Sequence, residues 1–593
     1  MSSADYIIIG GGTSGLVIAN RLSENPDVQV LVLEAGQDLS NDPRVTVPAF
    51  WTTLIGTDAD WQFQSVPQHQ LGGRIINEAQ GKGLGGSSAI NCQAYIAPSQ
   101  AGIDAWGQFG NPGWDWAGLS PYYKKATTLS LPPDQDTRDH LGIDWIDKSC
   151  HGTNGPIQVS FPGVVENPLI KAWIDAFRGR DELTTNDPFS GHSVGGYSCC
   201  AAVDSSSKTR SYAGNAYGLP AAQRPNLRII TGAKVAKVTF KTESDMIHAT
   251  GVKASINGGE LETFIPAREV ILAAGVFNTP KILELSGIGN KDILKRHSIP
   301  VVVDLPGVGE NLQDHLMTGV SYEVAEGVLT GDPLLRQEPE AISQAQGLYF
   351  EHQKGPFTIG GIQSHAFMPT PKGTSDELFP THAGGPEDSE LTKVIYSILD
   401  NSSESSAAWF MFLAQANLHE SGKSFTGSRF MPENFASLGC SQSYPLSRGS
   451  THISSTNIDA APDIDPRYFP HPLDLEIMAR HVQALENLRN AKELEPFFKL
   501  NGKRNHPDAF NIGSLEGAKK YVLDTATTSY HSCGTAAMLP KDKGGVIDAK
   551  LLVHGVSNLR VVDASIFPMI TRGNPMATVY AVAEKAADII KNH

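Results

Sequence analysis

The chain has 593 residues, 40% hydrophobic and 19% charged, which is ordinary for a globular protein and too apolar for disorder. At roughly 100–200 residues per domain, this length predicts three or four units, or two large ones. A net charge of −16 repels phosphate backbones and anionic lipid, so nucleic acid and membrane surfaces are excluded as natural partners, and no apolar run reaches the roughly 18–20 residues that span a bilayer.

Glycine is the informative excess, with 58 residues gathered in short motifs and no G-X-Y period. The six cysteines (Cys92, Cys150, Cys199, Cys200, Cys440, Cys533) include no C-x-x-C pair and no Cys/His cluster at zinc spacing, so no metal site is expected. A disulfide between the adjacent Cys199 and Cys200 would be strained, and small buried or half-buried thiols are the expectation. Met1–Asp5 leads straight into an apolar strand, without the charged and apolar regions of a signal peptide. With a lone N-x-[ST] sequon at Asn401, this favours a cytoplasmic protein, a secreted one being the alternative if a signal has been removed.

The first predicted element is a buried strand at Tyr6–Ile9, which runs into Gly10-Gly11-Gly12-Thr13-Ser14-Gly15, a G-x-G-x-x-G loop. Leu16, Ala19 and Leu22 follow at helical spacing and stop before Pro26; Val28–Leu33 is a second buried strand, ending on Glu34. Gly10 permits the tight turn, Gly12 lets the backbone approach a pyrophosphate, and Gly15 lets helix and strand pack closely. The helix amino terminus faces the phosphates with free N–H groups, and Glu34 is placed to accept from a ribose 2′-OH, which argues against NADP.

This unit binds a dinucleotide but does not separate NAD from FAD. The next cluster, Gly81–Asn91, contains Gly86 and Ser87 and can wrap N–H groups around a second stretch of diphosphate, as the longer flavin cofactor needs. A third, Gly275–Gly289, follows the buried strand Val270–Ala274 and opens a helix near Pro280. The last runs from Leu559–Val562 through Asp563-Ala564-Ser565 to Asn574-Pro575, which opens a helix to Lys591. Its Ala577, Tyr580, Ala581, Glu584 and Ala587 permit close packing.

On these motifs the chain resembles the glucose–methanol–choline (GMC) family of FAD-dependent oxidoreductases. The stretch Gly81–Asp104 fits the family's first signature and Gly275–Gly289 the second, apart from Val276 where a small or polar residue is usual. Gly307–His315 (GVGENLQDH) and Val561–Pro568 are also family-like. The resemblance implies an α/β fold with a Rossmann-like FAD-binding domain and a substrate domain on a large antiparallel sheet flanked by helices. Both are discontinuous: residues 1–154, 226–316 and 529–593 for FAD, 155–225 and 317–528 for substrate.

It also implies a catalytic pair. His531, in His531-Ser532-Cys533-Gly534-Thr535, matches the family's active-site histidine, and Asn574 matches its second polar group. A neutral imidazole can take the hydroxyl proton as hydride passes to flavin N5, and the amide can hold the same oxygen. For the cofactor, Thr13, Ser14, Glu34 and Ala35 are expected at the pyrophosphate and adenosine ribose. Ser87, Asn91, Cys92, Gln93 and Ala94 are expected at the diphosphate and flavin edge, and Val235 at the adenine. Asp563, Ala564, Asn574, Pro575 and Met576 are expected at the ribityl chain and the pyrimidine end. Trp61 reads equally as stacking near the adenine or as core. Ile90 stands where some relatives attach FAD through histidine, so FAD is expected to be non-covalent.

Between the motifs, Ser437–Ser447 and Ser450–Ser455 read as strands, while Thr330–Glu340 and Pro369–Asp388 read as loops or solvated insertions. Ala407–Ala414 reads as an interior strand or as pocket lining. The function implied is an FAD-dependent oxidase or dehydrogenase acting on a primary or secondary alcohol, with oxygen or a quinone or dye as acceptor. The alternative is a flavoprotein of the same fold with lyase, cyclase or photodecarboxylase chemistry. The stretch Asp60–Val66 resembles fungal sugar and aryl-alcohol enzymes. Asn574, where many of those have histidine, favours an aromatic alcohol or a biosynthetic intermediate over glucose.

Overall fold

A computed structural model describes residues 4–164, 166–244, 246–371, 389–416 and 430–593. Its first sheet has five parallel strands in the order Leu227–Ile230, Val30–Leu33, Ala4–Ile9, Pro266–Leu272 and Leu559–Val561. The central strands are apolar runs because both faces are covered: Ile7, Ile8, Val32, Ile271 and Leu559 are wholly buried. Each such side chain contributes about 1.5–3 kcal/mol of burial. Helix Thr13–Leu22 packs on strands Ala4–Ile9 and Val30–Leu33, and helix Met576–Lys591 packs on that helix and on helix Trp116–Ala126.

The expected close-packing residues Ala577, Tyr580, Ala581, Glu584 and Ala587 are all buried. Glu584 is tolerated among them because Arg21 reaches its carboxylate at 2.6 Å and the Tyr217 hydroxyl donates to it at 2.9 Å. A separate antiparallel sheet, Ala233–Glu243, Met246–Ile256 and Leu261–Phe264, carries Val235.

The largest sheet has six antiparallel strands in the order Thr527–Thr528, Leu316–Glu323, Phe435–Gln442, Ala407–Phe412, Ser364–Met368 and Gly195–Ser198. The fold is therefore α/β, with a parallel and an antiparallel body drawn from interleaved segments. On Ala407–Phe412 the two readings of the sequence are both realised. Ala407, Trp409 and Met411 face a core backed by helix Pro472–Arg489, and Ala408, Phe410 and Phe412 face a cavity.

One expectation is corrected. Thr330–Glu340 is not a solvated loop: it holds a helical turn, Asp332–Leu335, and the start of helix Pro339–His352. Its anchor is Asp332, buried because its carboxylate accepts from the Gln415 and Phe435 backbone N–H groups at 2.7 and 2.6 Å. A composition rich in polar and turn residues hides such an acceptor. The Pro369–Asp388 stretch lies outside the described residues from 372 onward. All six cysteines are free thiols, four of them buried.

Candidate active site

A continuous cavity runs from the carboxyl ends of the parallel strands to the antiparallel sheet. At its first end Gly10 has φ +102°, and a Cβ there would stand 2.3 Å from the Ala273 carbonyl oxygen. A Cβ on Gly15 would stand 1.9 Å from the Gly10 oxygen, so Gly15 lies beneath the loop while Gly10, Gly12, Thr13 and Ser14 form the wall. The second glycine loop meets the first: a Cβ on Gly86 would come within 2.7 Å of Gly12 Cα.

Helix Thr13–Leu22 starts here with no side-chain cap and no acidic residue in its first turn. Its N–H groups and partial positive charge are therefore open to an anion. Ser14, 3% exposed, has an Oγ without a hydrogen-bond partner among the described residues. Buried hydroxyls are rarely left so, and an anion such as a diphosphate would supply the missing acceptor.

Glu34 closes this end of the cavity. Its carboxylate accepts from Gly11 N and Gly36 N, both at 2.7 Å. Burial pushes its pKa up to about 7 against the pull of those two N–H groups. Ala35 and Val235 line the same end. Trp61 is both wall and core: it stacks on Phe63 at 5.8 Å, and the Lys82 ammonium lies 5.1 Å over its ring.

In the middle of the cavity, Asn91 Oδ1 accepts from Gln93 N and Arg210 Nη1, and its Nδ2 points to Met576 Sδ at 3.0 Å. The wholly buried Arg210 thus orients the signature asparagine. Asp563 accepts from Gly275 N, the Thr279 hydroxyl and Ser565 N, fixing the loop that carries Ala564. Ser87, Cys92, Gln93, Ala94 and Pro575 complete this stretch, and Ile90, also on the wall, offers no group for covalent attachment.

His531 stands at the far end. Its Nε2 is 3.0 Å from Asn574 Nδ2, its Nδ1 is 3.0 Å from His315 Nδ1, and its backbone N–H donates to Asp314 at 3.0 Å. The tautomers follow from the chain of partners. His315 Nε2 lies 3.0 Å from the Ser443 carbonyl, which can only accept, so that nitrogen carries the proton. Burial lowers the His315 pKa to about 4, so its Nδ1 is a lone pair and the His531 Nδ1–H donates to it. His531 Nε2 is then also a lone pair, facing the Asn574 amide and the cavity. Burial, and after it His315, hold His531 well below the usual imidazole range.

Behind the pair, the Tyr468 hydroxyl lies 2.7 Å from Asp314 and 2.9 Å from Glu78. Burial raises both carboxyls above their usual range, so this cluster keeps a proton that two exposed acids would lose.

The outer wall is aromatic and apolar: Trp51, Met317, Ile362, Phe410 and Phe412, with Ser441, Ser529 and His365 among them. Trp51 is tied to Gly360 by an Nε1–H to carbonyl bond. Every site residue expected from sequence except Gly15 lines this one cavity. Sequence reasoning missed Arg210, Trp51 and His365, which carry no local signature. It also missed His315, although that residue closes a motif already singled out.

The chain matches the GMC oxidoreductase family model over residues 4–317 and again over 445–583, and it belongs to this family. It is 34% identical over 615 residues to the dehydrogenase citC of Monascus ruber, covering 99% of this chain and 96% of the relative. Among solved structures it resembles an FAD-dependent oxidoreductase from Chaetomium thermophilum (TM-score 0.88, 29% identity, 100% and 99% coverage). It also resembles a fungal aryl-alcohol oxidase (TM-score 0.84, 28% identity, 100% and 99% coverage). The protein is thus an α/β FAD-dependent oxidoreductase acting on CH–OH groups, and the open helix terminus, the paired glycine loops and the orphaned Ser14 hydroxyl fit that cofactor. No described helix is long and apolar enough to cross a membrane.

Proposed function

We propose that the protein oxidises a primary or secondary alcohol, with His531 as general base and Asn574 positioning the hydroxyl. Residues 1–154, 226–316 and 529–593 would hold FAD non-covalently, and 155–225 with 317–528 would shape the substrate pocket. The observation that carries this reading is the chain of 3.0 Å contacts from the Ser443 carbonyl through His315 and His531 to Asn574, from which the lone pair on His531 Nε2 follows.

The Gly10–Ser14 and Gly86–Ala94 loops, Glu34 and Asp563–Met576 would hold FAD, which would accept the hydride leaving the alcohol carbon. The alcohol hydroxyl replaces the direct Asn574–His531 contact, donating its proton to Nε2 and accepting from the Asn574 amide. As the carbon becomes a carbonyl carbon, His531 turns into an imidazolium whose Nδ1–H still donates to His315. The Asn574 N–H steadies the developing alkoxide, an interaction that strengthens only as charge develops. General-base assistance of this kind contributes about 10²–10⁴-fold.

The aromatic wall of Trp51, Phe410 and Phe412 favours an aromatic alcohol, as does the likeness to an aryl-alcohol oxidase. The final acceptor is oxygen or a quinone or dye. The test is anaerobic mixing of holoenzyme with a panel of aryl, aliphatic and sugar alcohols. Flavin bleaching by an aryl alcohol supports the reading, and no bleaching by any alcohol sinks it in favour of non-redox chemistry.

A further inference from the structure

We propose that His365 is a substrate-recognition residue that hydrogen-bonds a second polar group, a hydroxyl or carbonyl, on the aromatic ring of the alcohol. The word alcohol rests on the function proposed above; the subsite itself rests on His365 and its surroundings.

His365 lies on the inner strand Ser364–Met368, facing Phe410 on one neighbouring strand and Tyr197 on the other. It shares the cavity wall with Phe410, while Ala366 and Met368 point to the opposite core. Its ring is packed by Phe367 at 4.9 Å and Tyr197 at 5.2 Å, and the residue is 1% exposed.

Among the described residues, its Nδ1 has no hydrogen-bond partner. The contrast with comparably buried histidines is direct. His481 is bonded through Nε2 to Ser406 and through Nδ1 to Trp409, and His315 through Nε2 to Ser443 and through Nδ1 to His531. An imidazole packed among aromatic rings gains nothing over phenylalanine unless something bonds it, and leaving a buried polar group unpaired is costly. Burial, with Arg572 adding to it, drops the His365 pKa to about 3, so the ring stays neutral and offers one N–H donor and one acceptor. Phenolic hydroxyls and ring carbonyls answer that pattern, and the aromatic wall supplies the slot for the ring that bears them. A site built to bond a substrate hydroxyl rejects the analogue without it far more strongly than an apolar pocket can.

The experiment uses holoenzyme and two readouts. One is kcat/KM for benzyl alcohol and its 2-, 3- and 4-hydroxy forms. The other is binding of benzamide and the hydroxybenzamides, which are not oxidised, followed by the shift in flavin absorbance. Each is repeated in His365→Phe, with His365→Gln as a second variant that keeps a donor and an acceptor, and retained FAD reports folding of both. At least one hydroxy isomer should be preferred by about tenfold or more in each readout, and the ratio should fall towards one in His365→Phe and recover in part in His365→Gln. A wild type without preference, or a preference that survives in His365→Phe, overturns the subsite. Binding preference that depends on His365 without flavin reduction by any alcohol supports the subsite and overturns the alcohol reading. Reduction without any preference does the reverse.

Discussion

His315 Nδ1 lies 3.0 Å from His531 Nδ1, with the two rings edge to face at 89°. Two nitrogens at this distance can share only one proton, and the Ser443 carbonyl on the far side of His315 decides which nitrogen carries it. The base is thus set by a carbonyl two residues removed from the chemistry. His315 is a positioning residue, acting through His531.

His315→Phe should slow flavin reduction by about 10–10³-fold while FAD stays bound, because His531 can then rest with its proton on Nε2, the wrong tautomer for a base. His315→Gln, which can still accept from His531 and donate to Ser443, should recover part of the rate. Anaerobic stopped-flow reduction checks both. A merely structural role would cost FAD content or stability and leave the rate per bound flavin unchanged.

Asn574→Asp should be slower and should move the acid limb of flavin reduction to higher pH. A carboxylate 3 Å from Nε2 would pair with the imidazolium and raise a pKa that burial now holds low. Activity needs His531 deprotonated and is lost as pH falls through that pKa, so raising it moves the loss upward. Wild type should stay near its plateau well below pH 6.5. An unmoved limb in the variant would mean that Asn574 does not govern the reacting oxygen.

Glu78→Gln should gain stability relative to wild type as pH rises from about 5 to about 8. The folded pKa of Glu78 lies above its ordinary 4.5 because of burial and the Asp314 charge. Its stabilising contribution is full below 4.5 and is lost as pH climbs through the raised value; glutamine has no such loss. The difference should be on the order of 1–3 kcal/mol, read from paired thermal or denaturant melts. A constant difference across that range would show that Glu78 titrates normally.

Acid or heat precipitation should release FAD into the supernatant, since Ile90 offers no attachment atom. Flavin remaining with the pellet would point to a covalent link elsewhere.

What the sequence made legible was local. Strand, glycine loop, helix and Glu34 fall within 34 residues, so each constrains the next, and the Glu34 carboxylate bonds the nearby N–H groups of Gly11 and Gly36. His531 was readable through its neighbours Gly534 and Thr535. The contacts that set its chemistry were not: His315 is 216 positions away, and Tyr468 reaches Glu78 across 390. Such pairings exist only once the sheets close. His365 shows the same limit, since a histidine between serine and alanine in a strand looks alike whether it bonds its neighbours or a ligand. Thr330–Glu340 reads as a loop because a buried acceptor such as Asp332 and a solvated acid have the same letter.

The central claim, that His531 Nε2 removes the alcohol proton, is tested most directly by His531→Ala. Holoenzyme and variant, each loaded with FAD, are mixed anaerobically with the best alcohol of the panel, and the rate of flavin reduction is followed. The account predicts a fall of about 10²–10⁴-fold with FAD retained, because the substitution removes the base and none of the residues assigned to the cofactor. A variant reducing within about threefold of wild type would contradict it.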